Sequence, residues 1–285
     1  MRVHYLRAGG NAAGPTHLLV HPMGAGAWSW MDVIELVSGS SSVIAPDLPG
    51  SGRSRPPAGW RGDILAGAQF LDDFTRALGT EQVVAHGHSL GGLVAAMFAG
   101  HAPDRVERLV LTSAPLPALP DPPRFPGVWR AGLTIARPLG EVIVGTGQRL
   151  KADMWRGGAS DAGGSPIGSA MARIGTDASR ISPELLSLAA DHYGGIWPAW
   201  RVRGAVDAGL SAVRALTVDE ARTRAGLDAI TAPTVLLWGA DDRVYPQRLI
   251  DDLEAAHPAW SSRTIEGVGH MVPWEAPSSY VGLAT

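Results

Sequence analysis

Short apolar runs bounded by turn residues recur along the chain, at His17–Val20, Val43–Ala45, Val83–His86, Leu109–Thr112 and Thr234–Trp238. Each has the length and β-branched content of a strand buried on both faces. Helical patterns lie between several of them, over Ile64–Leu78 and Leu90–His101. Strands that alternate with helices predict an α/β fold, a mostly parallel sheet covered by helices.

The alternation breaks after Ser113. Pro115, Pro117, Pro120, Pro122, Pro123 and Pro126 crowd together there and forbid regular helix or central strand. From Leu116 to Leu227 the pattern is helical but interrupted, with a glycine-rich patch over Gly157–Gly168, and strand character returns at Thr234. The expected organisation is therefore a core domain of residues 1–115 and 228–285, with residues 116–227 inserted between two strands as a mainly helical cap. No fixed period is present, which excludes solenoids and propellers.

Composition narrows the function. Of 285 residues, 45% are hydrophobic and 18% charged, the balance of a chain that folds alone. The net charge of -3 comes without any Lys/Arg run, so no nucleic-acid partner is expected. With no cysteine, disulfides and thiolate metal sites are excluded. No His/Asp/Glu cluster has metal spacing, so neither a metal nor a cofactor is expected. No stretch reaches membrane-spanning length and the N-terminal residues lack a signal-peptide core. The expectation is a cytoplasmic protein without stable membrane association, a monomer or homodimer acting on a small-molecule substrate.

The chemistry starts at Gly87-His88-Ser89-Leu90-Gly91. It follows an apolar run and precedes a helix-forming stretch, the strand–turn–helix context that a G-x-S-x-G elbow requires. The glycines permit a sharp turn that lifts the serine hydroxyl above the sheet, where N–H groups of the next helix can face a developing oxyanion. Serine is a weak nucleophile near neutral pH and needs a histidine base held by a carboxylate. Candidates follow downstream, Asp241 and Asp242 after one strand and His270 after the next apolar run. The order Ser, Asp, His is that of the elbow fold.

Gly239-x-x-Asp242-x-x-x-Pro246, and Gly269-His270 with Glu275 and Pro277, resemble the acid and histidine loops of the α/β-hydrolase superfamily. The match selects Asp242 over Asp241. By the same resemblance, Asp47-Leu48-Pro49-Gly50-Ser51-Gly52-Arg53-Ser54 is similar to the family's turn after the fourth strand, and His21-Pro22-Met23-Gly24 stands where an oxyanion loop is expected. The resemblance implies Ser89 as nucleophile, His270 as base and Asp242 behind it. Pro22 replaces the glycine of many relatives and has no N–H, so the oxyanion donors are expected from the backbone of Met23 and Leu90. The resemblance does not extend over Leu116–Leu227.

His21 is expected to brace the oxyanion loop and to border the substrate. His86, His88, His101 and His257 read as ordinary packed or surface histidines, and Trp28 and Trp30 as core. Four tryptophans, Trp129, Trp155, Trp197 and Trp200, fall in the inserted segment and are expected to line an apolar substrate pocket. The function implied is that of a serine hydrolase cleaving an ester, lactone or thioester of a small to medium, largely apolar substrate. Carbon–carbon hydrolysis, a non-hydrolytic cyclase or lyase, and a ligand receptor share the same motifs.

Overall fold

The computed structural model describes residues 1–10, 14–117, 132–146 and 166–284. Its strands are β1 Tyr5–Ala8, β2 Thr16–Val20, β3 Ser42–Pro46, β4 Val83–His88, β5 Val106–Thr112, β6 Thr234–Gly239 and β7 Ser261–Ile265. They form one sheet in the order β1-β3-β2-β4-β5-β6-β7. β1 runs antiparallel to β3 and every other neighbouring pair is parallel.

The inner strands are apolar at consecutive positions because each face carries its own core. Leu18, Val20, Leu109, Leu111 and Leu236 pack on one side with α2 (Ile64–Ala77) and α3 (Leu90–His101). Leu19, Val110 and Leu237 pack on the other with α1 (Met31–Val37) and α11 (Pro277–Ala284). α3 is apolar around most of its circumference, as suits a helix enclosed on all sides, and Leu90 to Ala99 are all buried. β4 continues past His86 to His88, so the strand delivers the chain directly to Ser89.

Among the described residues, five helices follow β5 before β6: α4 over 132–146, α5 Pro166–Arg173, α6 Pro183–Gly194, α7 Ala199–Leu216 and α8 Glu220–Asp228. α8 lies on the expected boundary at 227/228 and packs tightly on α3. A Cβ built at Gly226 would stand 2.2 Å from Met97 Cε. Beyond β6 come α9 Gln247–Ala256, then β7, α10 Val272–Glu275 and α11. No described helix is long and apolar enough to cross a membrane.

A chain of buried polar groups crosses the sheet interior. The ring nitrogens His17 Nδ1 and His86 Nε2 are 2.8 Å apart, and His86 Nδ1 lies 2.8 Å from the Tyr280 hydroxyl. His17, His86, His21 and His88 are all buried. Burial is the main force holding each below the ordinary 6.5, to about 3 for His88, with Arg108 adding to the effect at His17 and His86. Such a ring is neutral in the fold and takes up a proton on unfolding once the pH drops below about 6.5. The unfolded state then binds more protons, so stability is intact above that pH and is lost progressively below it, down towards the folded pKa values. One group contributes up to about 1.4 kcal/mol per pH unit. The urea-unfolding free energy should therefore be lower at pH 5 than at pH 7.5, by about 2 kcal/mol from His88 alone. An equal free energy at both pH values would contradict the neutral buried state of these rings.

Candidate active site

Ser89 stands between the end of β4 and the first residue of α3 with φ 52 and ψ -124. A non-glycine residue in this region carries strain of about 1–3 kcal/mol, which the surrounding hydrogen bonds hold in place. Ser89 N donates to Thr112 O at 2.8 Å, and Gly92 N donates to Ser89 O at 2.8 Å. The two motif glycines are required by close approach. A Cβ at Gly87 would meet Gly91 O at 2.4 Å, and one at Gly91 would meet Val20 O at 2.3 Å. The second contact brings the start of α3 against the end of β2, and so against the His21–Gly24 loop.

The loops after β6 and β7 bring Asp242 and His270 to the same place. His270 Nε2 lies 3.1 Å from Ser89 Oγ, and His270 Nδ1 lies 2.9 Å from Asp242 Oδ2. A carboxylate only accepts, so Nδ1 carries the proton and Nε2 is left to accept from the serine hydroxyl. Asp242 Oδ1 accepts from Val244 N at 2.7 Å and Tyr245 N at 3.1 Å. Burial pushes the Asp242 carboxyl up, but His270 and these two N–H groups together hold it below the ordinary carboxylate value. Asp241 is exposed.

The insertion fastens both loops by their backbones. Ile174 O accepts from His270 N at 3.3 Å and from Arg243 N at 3.4 Å. Thr176 Oγ1 accepts from Met271 N at 3.2 Å. Glu275, buried, accepts from Gly269 N at 2.9 Å and from Asp177 N at 2.8 Å. Gly175 makes the turn between Ile174 and Thr176 at φ +85, where a Cβ would stand 1.9 Å from Asp241 O. From beneath, His88 Nε2 donates to His270 O at 2.9 Å. This places the variable residue of the elbow motif under the histidine loop.

The loop expected to face the oxyanion is assembled around His21. Leu48 N donates to His21 Nε2 at 3.0 Å, which makes Nδ1 the protonated nitrogen, donating to Pro22 O at 2.8 Å. Asp47 ties the adjoining loops together, accepting from Ala27 N at 2.6 Å, Arg53 N at 2.7 Å and His4 Nδ1 at 2.8 Å. Met23, Leu90 and His21 line one pocket. Leu90 opens α3, where the first N–H groups have no partner within the helix.

From the insertion, His192 Nε2 donates to Gly24 O at 2.8 Å. Trp197 is buried beside this loop, with its ring 3.7 Å from a Cβ built at Gly24. Trp197 and Trp200 both stack on the Arg201 guanidinium, at 5.8 and 5.5 Å. Neither borders the pocket that holds Met23 and Leu90. Trp129 and Trp155 lie outside the described residues. Trp30 is fully buried, while Trp28 packs on Trp274 and His192.

The profile of the alpha/beta hydrolase family matches residues 18–282. The chain is similar to a soluble epoxide hydrolase of Corynebacterium, 32% identical over 143 residues, which are 50% of this chain and 45% of the relative. It is also similar to the 2-hydroxy-6-oxo-2,4-heptadienoate hydrolase of Pseudomonas putida, 37% identical over 105 residues, 36% of this chain and 38% of the relative. In both cases the match spans less than half of the relative's length. Among solved structures, a thermophilic esterase from Thermogutta terrifontis superposes with a TM-score of 0.71 at 23% identity, covering 98% of this chain and 90% of the esterase.

Proposed function

Because the chain belongs to the alpha/beta hydrolase family, we propose that it hydrolyses an ester, lactone or thioester through an acyl-Ser89 intermediate. The observation that carries the proposal is the continuous relay from Ser89 Oγ to His270 Nε2 at 3.1 Å and from His270 Nδ1 to Asp242 at 2.9 Å. Hydrolysis is the activity named for the Corynebacterium and Pseudomonas relatives. An epoxide ring has no carbonyl for a serine oxygen to add to, so serine at position 89 supports acyl chemistry over epoxide opening.

In the first half-reaction His270 Nε2 takes the Ser89 proton while Oγ adds to the acyl carbon. The oxyanion is received by the backbone N–H groups of Leu90 and Met23, each such donor contributing about 3 kcal/mol in this role. The tetrahedral adduct collapses, and His270 returns the proton to the leaving oxygen or sulfur. Water, deprotonated by the same nitrogen, then frees the acid and restores the serine. Asp242 keeps the imidazole in the required tautomer and stabilises the imidazolium. Residues 116–227 act as the substrate-selecting cap, and the bonds from Ile174 and His192 to the site loops support that assignment.

An acyl-enzyme forgets its leaving group. With methanol present, p-nitrophenyl, phenyl and ethyl esters of one acid should give the same ratio of methyl ester to free acid. A ratio that changes with the leaving group would contradict a common acyl-Ser89 intermediate.

A further inference from the structure

The His21–Gly24 loop closes in a tight turn. Ala25 N donates to Pro22 O at 3.3 Å, and Gly24 has φ +74 while Met23 stays out of the positive region, the pattern of a type II turn. Pro22 O also accepts from His21 Nδ1 at 2.8 Å. Pro22 O and the Met23 N–H are opposite ends of one trans peptide plane, so whatever fixes this turn also sets where that N–H points. The core holds one end of the turn, through His21. The other end is held from the inserted segment, where His192 Nε2 donates to Gly24 O at 2.8 Å.

A carbonyl oxygen only accepts, so His192 carries its proton on Nε2. Burial is the main force that lowers its pKa from 6.5 to about 4, which leaves the ring neutral at pH 7. The ring is enclosed by Trp28, Tyr193 and Trp197, at centroid distances of 5.2, 5.0 and 5.4 Å, and Trp197 Nε1 donates to His192 O at 2.8 Å. The turn leans on the same segment. The Trp197 ring lies 3.7 Å from a Cβ built at Gly24, and Met23 Sδ lies 3.3 Å from one built at Gly209 of α7.

We propose that His192 is a positioning residue for the oxyanion donor: its bond to Gly24 O keeps the Pro22–Ala25 turn in the shape that aims the Met23 N–H at the oxyanion. The inserted segment then completes the catalytic site as well as covering it. The role given to Met23 rests on the acyl-serine reading, whereas the hold of His192 on the turn does not. The oxyanion forms only once Ser89 has added to the carbonyl, so loosening the turn should slow the chemical step and leave substrate binding alone.

His192→Phe keeps an aromatic ring in the cluster without the donor, His192→Leu removes ring and donor together, and His192→Gln returns an N–H at a similar reach. Either apolar variant serves if the other does not fold. With the best wild-type substrate among p-nitrophenyl acetate, butanoate and octanoate, Phe and Leu should lose about 10- to 100-fold in kcat with KM within about two-fold, and Gln should recover most of that loss. In full-length ¹⁵N-labelled protein, hydrogen exchange of the Ala25 amide should be at least about ten-fold faster in Phe and Leu than in wild type and Gln. An unchanged kcat in a folded Phe or Leu variant, a loss that falls on KM, a Gln variant no better than Leu, or equal Ala25 exchange in all the proteins would overturn the proposal. A wild-type protein that turns over no ester would instead defeat the hydrolase reading, and Ala25 exchange would still decide whether His192 holds the turn.

Discussion

Ser89→Ala should lower kcat/KM for any ester the protein accepts by about 10⁴-fold or more, since loss of a triad nucleophile removes the covalent pathway. The fold should be unaffected. The hydroxyl belongs to a half-buried elbow, so its removal leaves no core cavity. Alanine meets the same strain as serine at φ 52, so the unfolding free energy should stay within about 0.5 kcal/mol of wild type. Steady-state kinetics and urea unfolding on the same preparation check both halves. A folded variant retaining more than about a tenth of the activity would contradict the nucleophile assignment.

Asp242→Asn should cost about 10³- to 10⁴-fold in kcat/KM, and Asp241→Asn less than about two-fold. The size of the first effect follows from hydrogen-bond direction. Oδ1 of Asp242 receives two backbone donors, Val244 N and Tyr245 N, so an asparagine must keep its carbonyl oxygen there. Its amide nitrogen is then turned towards His270 Nδ1, which must accept. The proton moves to Nε2, the atom that has to take the serine proton, and the base is disabled without any displacement. Asp241 is exposed and its side chain plays no part in that relay. Equal losses in the two variants would contradict the selection of Asp242.

How much of this was legible depends on how local each signal is. The inner strands could be read because burial on both faces leaves no polar position, as at Leu18 and Leu19, which enter opposite cores. Edge strands carry a weaker signature. β7 is Ser-Ser-Arg-Thr-Ile with no fully buried residue, and β1 has four residues, none fully buried. The acid and histidine loops could be read because a turn glycine precedes each functional residue at short spacing. His192 could not, since its partner Gly24 is 168 residues away and nothing near it in the chain marks it. Gly175 was hidden for the same reason, its constraint coming from Asp241 O. The cap tryptophans were expected at the pocket on residue type alone. Trp197 and Trp200 hold the Arg201 guanidinium over their rings, Trp197 also lies against the Gly24 loop, and the pocket beside Leu90 is bordered by Trp60, from the loop before α2.

The central claim is that Ser89 is an activated nucleophile in the folded protein, and a fluorophosphonate tests it most directly because it reacts with such serines whatever their natural substrate. Intact-mass measurement and peptide mapping of the native wild-type chain should find one adduct, on Ser89. The adduct should be absent from Ser89→Ala and from wild type unfolded in urea before exposure. A folded wild-type protein that stays unlabelled, or that carries its label on a different residue, would contradict the account.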